Sequence, residues 1–158
     1  MKQEIIEYGY ADSKWGYAYG EISQKGIRRL ILISEKGAQH PLNGIRNDEA
    51  IEKLTQAMIC RDFTPKDLQF DLTGTDFQQK VWRELLNIPL GKTASYSEIA
   101  ARIGTKAVRA VGTAIKNNPI FYIIPCHRII RSNGEVGNYF YGTQIKQDIL
   151  KYEQSLIK

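Results

Sequence analysis

The 158-residue chain is long enough for one ordinary domain or two small ones sharing an interface. Its 42% apolar and 25% charged residues suit a globular protein in water, and no run approaches the ~18 apolar residues of a membrane span. The formal charge of +5 is a modest excess that favours a polyanion such as nucleic acid without requiring one. Residues 1–7 lack the apolar core of a secretory signal, so an intracellular location, and no structural disulfide between Cys60 and Cys126, are expected. The two histidines are His40 and His127. Cys126 and His127 are adjacent, which is poor chelating geometry, so no metal site is expected. Cys60 reads as a packed thiol.

In chain order, residues 14–34 read as a hairpin. Trp15, Tyr17 and Tyr19 alternate with small or polar residues, Gln24-Lys25-Gly26 turns, Leu30–Ile33 returns, and Glu35-Lys36-Gly37 ends the second strand. From Asn47 to about Cys60 the apolar residues Ile51, Leu54 and Met58 recur at helical spacing, and Phe63-Thr64-Pro65 breaks the pattern. Leu68, Phe70 and Leu72 alternate as a third strand. Residues 1–72 thus form a small α/β domain with a short antiparallel sheet and no evident chemistry. Residues 73–158 form a mostly helical domain, giving an α+β chain overall.

The second domain opens with Thr75-x-x-Gln78, a capping-box match, followed by the apolar stripe Phe77, Val81, Trp82, Leu85 and Leu86. Ile88-Pro89-Leu90-Gly91 stops this helix. A second capping-box match, Ser95-x-x-Glu98, starts a short helix with Ile99, Ala100 and Ile103 on its buried side. Gly104 closes it, and another helix can run from Lys106 to Lys116, which together fit a helix-turn-helix. On that last helix Val108, Val111, Gly112 and Ile115 share one arc, expected to be core. Lys106, Arg109, Ala110, Thr113 and Lys116 share the other. An arc of cations and small residues without an acid suits close approach to a phosphate backbone. A solvated face that happens to lack acids fits the same pattern.

Ile123-Ile124-Pro125-Cys126-His127-Arg128-Ile129-Ile130 carries the strongest chemical signal. A cysteine between apolar pairs is often an inert core thiol. The cations His127 and Arg128 beside it argue instead for a thiolate nucleophile, and Pro125 fits a sharp turn. Further on, Ile145, Ile149 and Glu153 are four residues apart with Leu150 alongside. If that helix packs through Ile149 and Leu150, Glu153 faces inward and needs a partner, because an unpaired buried carboxylate is costly. His127 would then complete a Cys–His–Glu relay. A frayed helix end in water is the alternative. Residues 131–142 are rich in Gly, Asn and aromatics, as in a loop that walls a pocket for a planar ring.

These residues resemble a known family. Ile124-Pro125-Cys126-His127-Arg128 is similar to the active-site signature of the O6-alkylguanine-DNA alkyltransferases, also called methylated-DNA–protein-cysteine methyltransferases. Thr75–Trp82, Ile88–Thr93, Ser95-Tyr96, Arg109–Gly112, Asn118-Pro119 and Gly137-Asn138-Tyr139 resemble family positions in the same order, from about residue 73 to Glu153. The resemblance implies single-turnover repair of double-stranded DNA, approached through the minor groove. A methyl or small alkyl group would pass from O6 of a flipped guanine to Cys126, without metal or cofactor. It implies His127 as a base acting through water, Glu153 as its orienter, Asn118 as a loop holder and Tyr96 as a donor to the leaving guanine. Arg109 would fill the emptied stack, with Lys106, Ala107, Ala110, Gly112 and Thr113 beside the DNA. Phe121, Ile129, Tyr139, Phe140, Tyr141 and Lys146 would form the substrate pocket. The protein is expected to be a monomer, cytoplasmic, or nuclear in a eukaryote. Phe140 and Tyr141 stand where many members carry small residues, which predicts a narrow pocket that reacts poorly with free benzylguanine.

Three other readings are separable. A cysteine hydrolase would turn over repeatedly. An alkyltransferase-like damage sensor lacks the reactive cysteine. A helix-turn-helix regulator would survive Cys126→Ser.

Overall fold

The computed structural model describes residues 4–34, 41 and 43–157 and divides into two compact units. The first comprises residues 1–73 together with Pro119–Phe121, and the second comprises Gly74–Asn118 and Tyr122–Lys158. The fold is α+β, as the sequence leads one to expect. Glu35-Lys36-Gly37 and His40 lie outside the described residues. No helix among the described residues is long and apolar enough to cross a membrane.

In the first unit, β1 (Ile6–Ser13), β2 (Gly16–Ser23) and β3 (Gly26–Leu32) form an antiparallel meander. β4 (Ile45–Arg46) adds in parallel to β1, giving the order β3-β2-β1-β4. The expected hairpin is therefore β2–β3, and β1 is an additional strand. Side chains alternate across the sheet. Tyr10 and Tyr19 face each other on one side with ring centroids 5.3 Å apart. Gly9 and Gly20 occupy the other side, where α1 (Asp48–Met58) packs. A Cβ on Gly20 would sit 2.8 Å from Ile51 Cδ1, so the glycine lets this helix lie close. Asn47 caps α1 by accepting from the Ala50 amide, and Ile51, Thr55 and Met58 are its buried face.

Two expectations fail here. Leu68–Leu72 is not a strand. After a 3-10 turn at Pro65–Asp67 it meets β3 at one isolated parallel bridge, Ile27 to Phe70, with the Ile27 amide donating to the Gln69 carbonyl and its carbonyl accepting from the Asp71 amide, and pairs no further along that strand. Cys60 is exposed, not packed. It falls just beyond the end of α1 and donates to the Gln56 carbonyl.

The other edge partner of β3 comes from far along the chain. Leu30 donates to the Pro119 carbonyl at 2.9 Å and accepts from the Phe121 amide at 2.7 Å. Phe121 is buried in this stretch.

The second unit opens with α2 (Asp76–Leu85), whose reciprocal Thr75–Gln78 capping box is complete. Val81, Trp82 and Leu85 are its buried face, and the Trp82 indole N–H donates to the Ala114 carbonyl at 2.7 Å. That bond ties α2 to α4 (Val108–Lys116). β5 (Ala94–Ser95) runs directly into α3 (Tyr96–Arg102). Ser95 caps α3 by accepting from the Glu98 amide, while the Glu98 carboxylate reaches forward to Arg102 at 3.8 Å. Gly104, at φ +78, makes the turn between α3 and α4, a conformation that an L side chain resists. The core side of α4 is Val111, Ala114 and Ile115. Val108 is exposed, contrary to its expected place in the core arc, because α4 begins only there and its first turn projects beyond the packing.

Candidate active site

Cys126, His127 and Arg128 form a single 3-10 turn entered through Pro125, and β6 (Ile129–Ile130) follows at once. β6 pairs in parallel with β5, Ala94 to Ile129 and Ser95 to Ile130. This short ladder brings the first residue of α3, Tyr96, to the level of the reactive turn. On the other flank Tyr122 adopts φ +66, a strained conformation for a bulky residue, where the chain enters the buried run Ile123–Ile129. α5 (Thr143–Leu156) closes the site, with Lys146, Ile149 and Glu153 as its buried face.

The centre is a carboxylate shared by two cations. Glu153 Oε1 lies 3.0 Å from His127 Nε2 and accepts from Arg128 Nε at 2.9 Å. Oε2 accepts from Arg128 Nη2, and Arg128 Nη1 donates to the Ile88 carbonyl at 2.7 Å. Tyr122 stacks on the imidazole, with ring centroids 5.1 Å apart and planes 22° from parallel, and its hydroxyl also bonds to Glu153. Burial pushes the Glu153 carboxyl up, but the bonds from Arg128 and His127 together outweigh it and hold the group at about 2. An ionised carboxylate only accepts, so Nε2 of a neutral His127 carries the proton and Nδ1 is the basic nitrogen. That Nδ1 is buried and has no hydrogen-bond partner among the described residues. Burial lowers the basicity of His127 further than Glu153 raises it, and Arg128 and Lys146 lower it again.

The thiol departs from expectation. Cys126 is 9% exposed, and burial pushes it up, away from the thiolate, despite the neighbouring polar groups of Asn118 and Tyr139 and the charge of Lys146. The sequence suggests Arg128 as a cation activating this sulfur. Arg128 is instead committed to Glu153 and Ile88. Asn118 donates to the Ile124 carbonyl at 2.7 Å, holding the reactive run. Tyr139 is half-buried beside the sulfur, and its phenol is pushed well up by burial and then by Cys126. The phenol of Tyr96 is likewise raised by burial and by Cys126. Lys146 donates to the Asn138 carbonyl at 3.2 Å, and burial lowers its ammonium to about 8.

Of the expected pocket residues, Ile129, Tyr139, Tyr141 and Lys146 lie in the second unit near this turn. Phe140 is 70% exposed and packs edge-on against Tyr141 at 5.0 Å, so it forms no buried wall. Phe121 belongs to the stretch paired with β3. Lys106, Ala107, Arg109, Ala110, Thr113 and Lys116 are all exposed on the outer arc of α4 and its entry, and Gly112 is half-buried. No side chain caps the start of α4 and no acid lies in its first turn, so its amides present partial positive charge outward.

The sequence reading missed two members of the cluster, Arg128 as the second partner of Glu153 and Tyr122 as the ring stacked on His127. For Arg128 a signal was present. An arginine inside an apolar run must find a carboxylate, and Glu153 was a carboxylate in search of a partner. Nothing in the sequence marks Tyr122.

A helix-turn-helix unit carrying a buried Cys, His, Glu and Arg cluster defines the class of this site, and comparison with known proteins makes it specific. Residues 76–155 match the family described as 6-O-methylguanine DNA methyltransferase, DNA binding domain. The chain is 39% identical over 141 residues to a methylated-DNA–protein-cysteine methyltransferase of Methanosarcina mazei, covering 85% of this chain and 89% of that one. It is 47% identical over 107 residues to the protein of the same name from Mycobacterium bovis, covering 67% of this chain and 64% of that one. Among solved structures, Mycobacterium tuberculosis OGT in complex with DNA superposes with a TM-score of 0.80 at 36% identity, covering 95% and 94% of the two chains. The chain belongs to the methylated-DNA–protein-cysteine methyltransferase family.

Proposed function

We propose that the protein repairs DNA by moving a methyl or small alkyl group from O6 of guanine to Cys126, once per molecule. The observation that carries this reading is the buried Cys126 turn. Its neighbouring imidazole is anchored by Glu153 on one nitrogen and unpartnered on the other, within a unit whose exposed helix face is basic and free of acids.

A guanine O6 inside a duplex is out of reach of a side-chain sulfur, so the nucleotide must rotate out, at a cost of a few kcal/mol. Arg109 on the outer arc of α4 occupies the emptied stack. Lys106 and Thr113 meet the backbone, while Ala107, Ala110 and Gly112 permit close approach in the minor groove. The thiol proton passes through a water to His127 Nδ1, and Glu153 stabilises the imidazolium. Sulfur attacks the alkyl carbon in line as the carbon–O6 bond breaks. The hydroxyl of Tyr96, kept protonated by its raised phenol, donates to the ring nitrogen of the departing guanine. Asn118 and Lys146 hold the loops on either side. The thioether is stable, so the protein is consumed. In this reading residues 73–158 carry the chemistry, residues 1–72 form a separate α/β domain, and the protein acts as a cytoplasmic monomer.

The test is a duplex carrying one O6-methylguanine mixed with protein, followed by peptide mass spectrometry. One methyl on Cys126 per molecule, with no further turnover, is expected. Cys126→Ser should still bind the duplex and accept nothing. Repeated turnover, or a methyl found elsewhere, overturns the assignment.

A further inference from the structure

Tyr122 is a member of the cluster to which the reaction as described gives no task, and the chain keeps it there against its backbone preference. It adopts φ +66, and among the described residues the other non-glycine at positive φ is Asn43, a residue type that tolerates the left-handed region. A glycine would relieve that backbone, yet a bulky aromatic is held there, only 4% exposed. A strained conformation of this kind persists where the surroundings over-determine the residue. The ring lies against His127, with centroids 5.1 Å apart and planes 22° from parallel, which is an offset stack. Its phenol is pushed up by burial and then by the charge of Glu153, so it stays neutral.

An aromatic face carries negative charge density and attracts a cation. A neutral imidazole gains little from such a face, whereas an imidazolium gains more. His127 is that cation while it holds the thiol proton. The proton leaves Sγ through a water for Nδ1, sulfur bonds the alkyl carbon, and the carbon–O6 electron pair departs with guanine. Of the groups facing the imidazole, Glu153 on α5 favours the charged ring, while burial, Arg128 in the same turn and Lys146 on α5 oppose it. The carboxylate is itself divided, because Arg128 bonds to both of its oxygens. Nε2 is taken by Glu153, and Nδ1 must meet the proton. Further support for the charge therefore has to come from the face of the ring, which is where Tyr122 lies.

We propose that Tyr122 is a positioning residue whose ring face holds the His127 imidazole in place and stabilises it as a cation while Cys126 is a thiolate. The inference rests on Cys126 being the alkyl acceptor.

The experiment varies the charge of the ring face and keeps its shape. Tyr122→Phe retains the face and removes the hydroxyl. Phenylalanines bearing one, two or three ring fluorines are then placed at the same position, where they withdraw density from the face and pack alike. One readout is the single-turnover rate of methyl transfer at saturating modified duplex. The other is the titration of the His127 ring by NMR without DNA, with His40 the one other histidine. Tyr122→Phe should stay close to the parent in both. Across the fluorine series the rate should fall in order, by up to about tenfold, and the His127 midpoint should move to lower pH by up to about one unit. A ring that serves only to fill space would give a flat series. A series flat in either readout overturns the inference. A folded Tyr122→Phe that has lost methyl transfer also overturns it, because the role then belongs to the hydroxyl. If Tyr122→Phe does not fold, fluorotyrosines at the same position carry the series with the hydroxyl kept. A parent that puts no methyl on Cys126 removes the reaction beneath the inference, whereas an active parent with a flat series removes the inference alone.

Discussion

Replacing Glu153 by Gln removes one negative charge from the centre of the site while keeping its shape. The Arg128 guanidinium then remains buried with no counter-charge, and breaking a buried pair from one side costs about 3–5 kcal/mol. The position of the carboxyl gives an independent figure. Its displacement from 4.5 to about 2 corresponds to about 3 kcal/mol of stabilisation at neutral pH. Because the folded value is depressed, this contribution is complete above the ordinary carboxylate range. It is lost as pH falls from about 4.5 through about 2. For a chain of this size about 3 kcal/mol is a fall in Tm of roughly 6–12 °C. The assay is thermal unfolding of both proteins at neutral pH and at steps down to strong acid. Glu153→Gln should melt well below the parent at neutral pH, with the gap narrowing in acid. A variant that melts within two degrees of the parent at neutral pH, or a gap that ignores acid, would refute the shared-carboxylate account.

Gly112→Ala places a Cβ 3.7 Å from the Tyr96 ring, an ordinary contact, within a helix. Stability should rise by up to about 1 kcal/mol in urea unfolding, and duplex binding should weaken because the helix can no longer approach as closely. Lys146→Met should raise Tm at neutral pH. The lysine has a folded value lowered to about 8 from 10.5, so its burial penalty is complete below 8 and relieved as pH rises towards 10.5, where the gain from methionine should vanish. The same variant should slow methyl transfer, since a charge favouring the thiolate is gone. Free benzylguanine should react poorly, and inactivation at low micromolar concentration within minutes would show the pocket to be wider than Tyr139 and Tyr141 suggest.

Much of the fold was legible because it rests on local rules. The Thr75–Gln78 capping box, the helical spacing of Ile51 and Met58, and Gly104 between two short helices each act within a few residues. The inward placement of Ile149 and Glu153 followed from spacing by four. What the sequence hid is non-local. β5 and β6 are two residues each, with no periodicity to detect, and they exist only because Ala94 meets Ile129. Leu68–Leu72 alternates like a strand but pairs with β3 only around Ile27. The role of Arg128 as a cation facing the sulfur failed because adjacency along the chain says nothing of direction. Arg128 turns to Glu153, and burial then governs the sulfur.

The pairing of Pro119–Phe121 with β3 has a consequence for anyone who divides the molecule. A fragment ending near residue 73 would be released with Leu30 offering unpaired amide and carbonyl groups along an open sheet margin, the kind of edge that recruits other chains. During synthesis the same margin stays bare until the ribosome has moved well past residue 121. The amino-terminal half can therefore finish its sheet only after most of the carboxy-terminal half has been made.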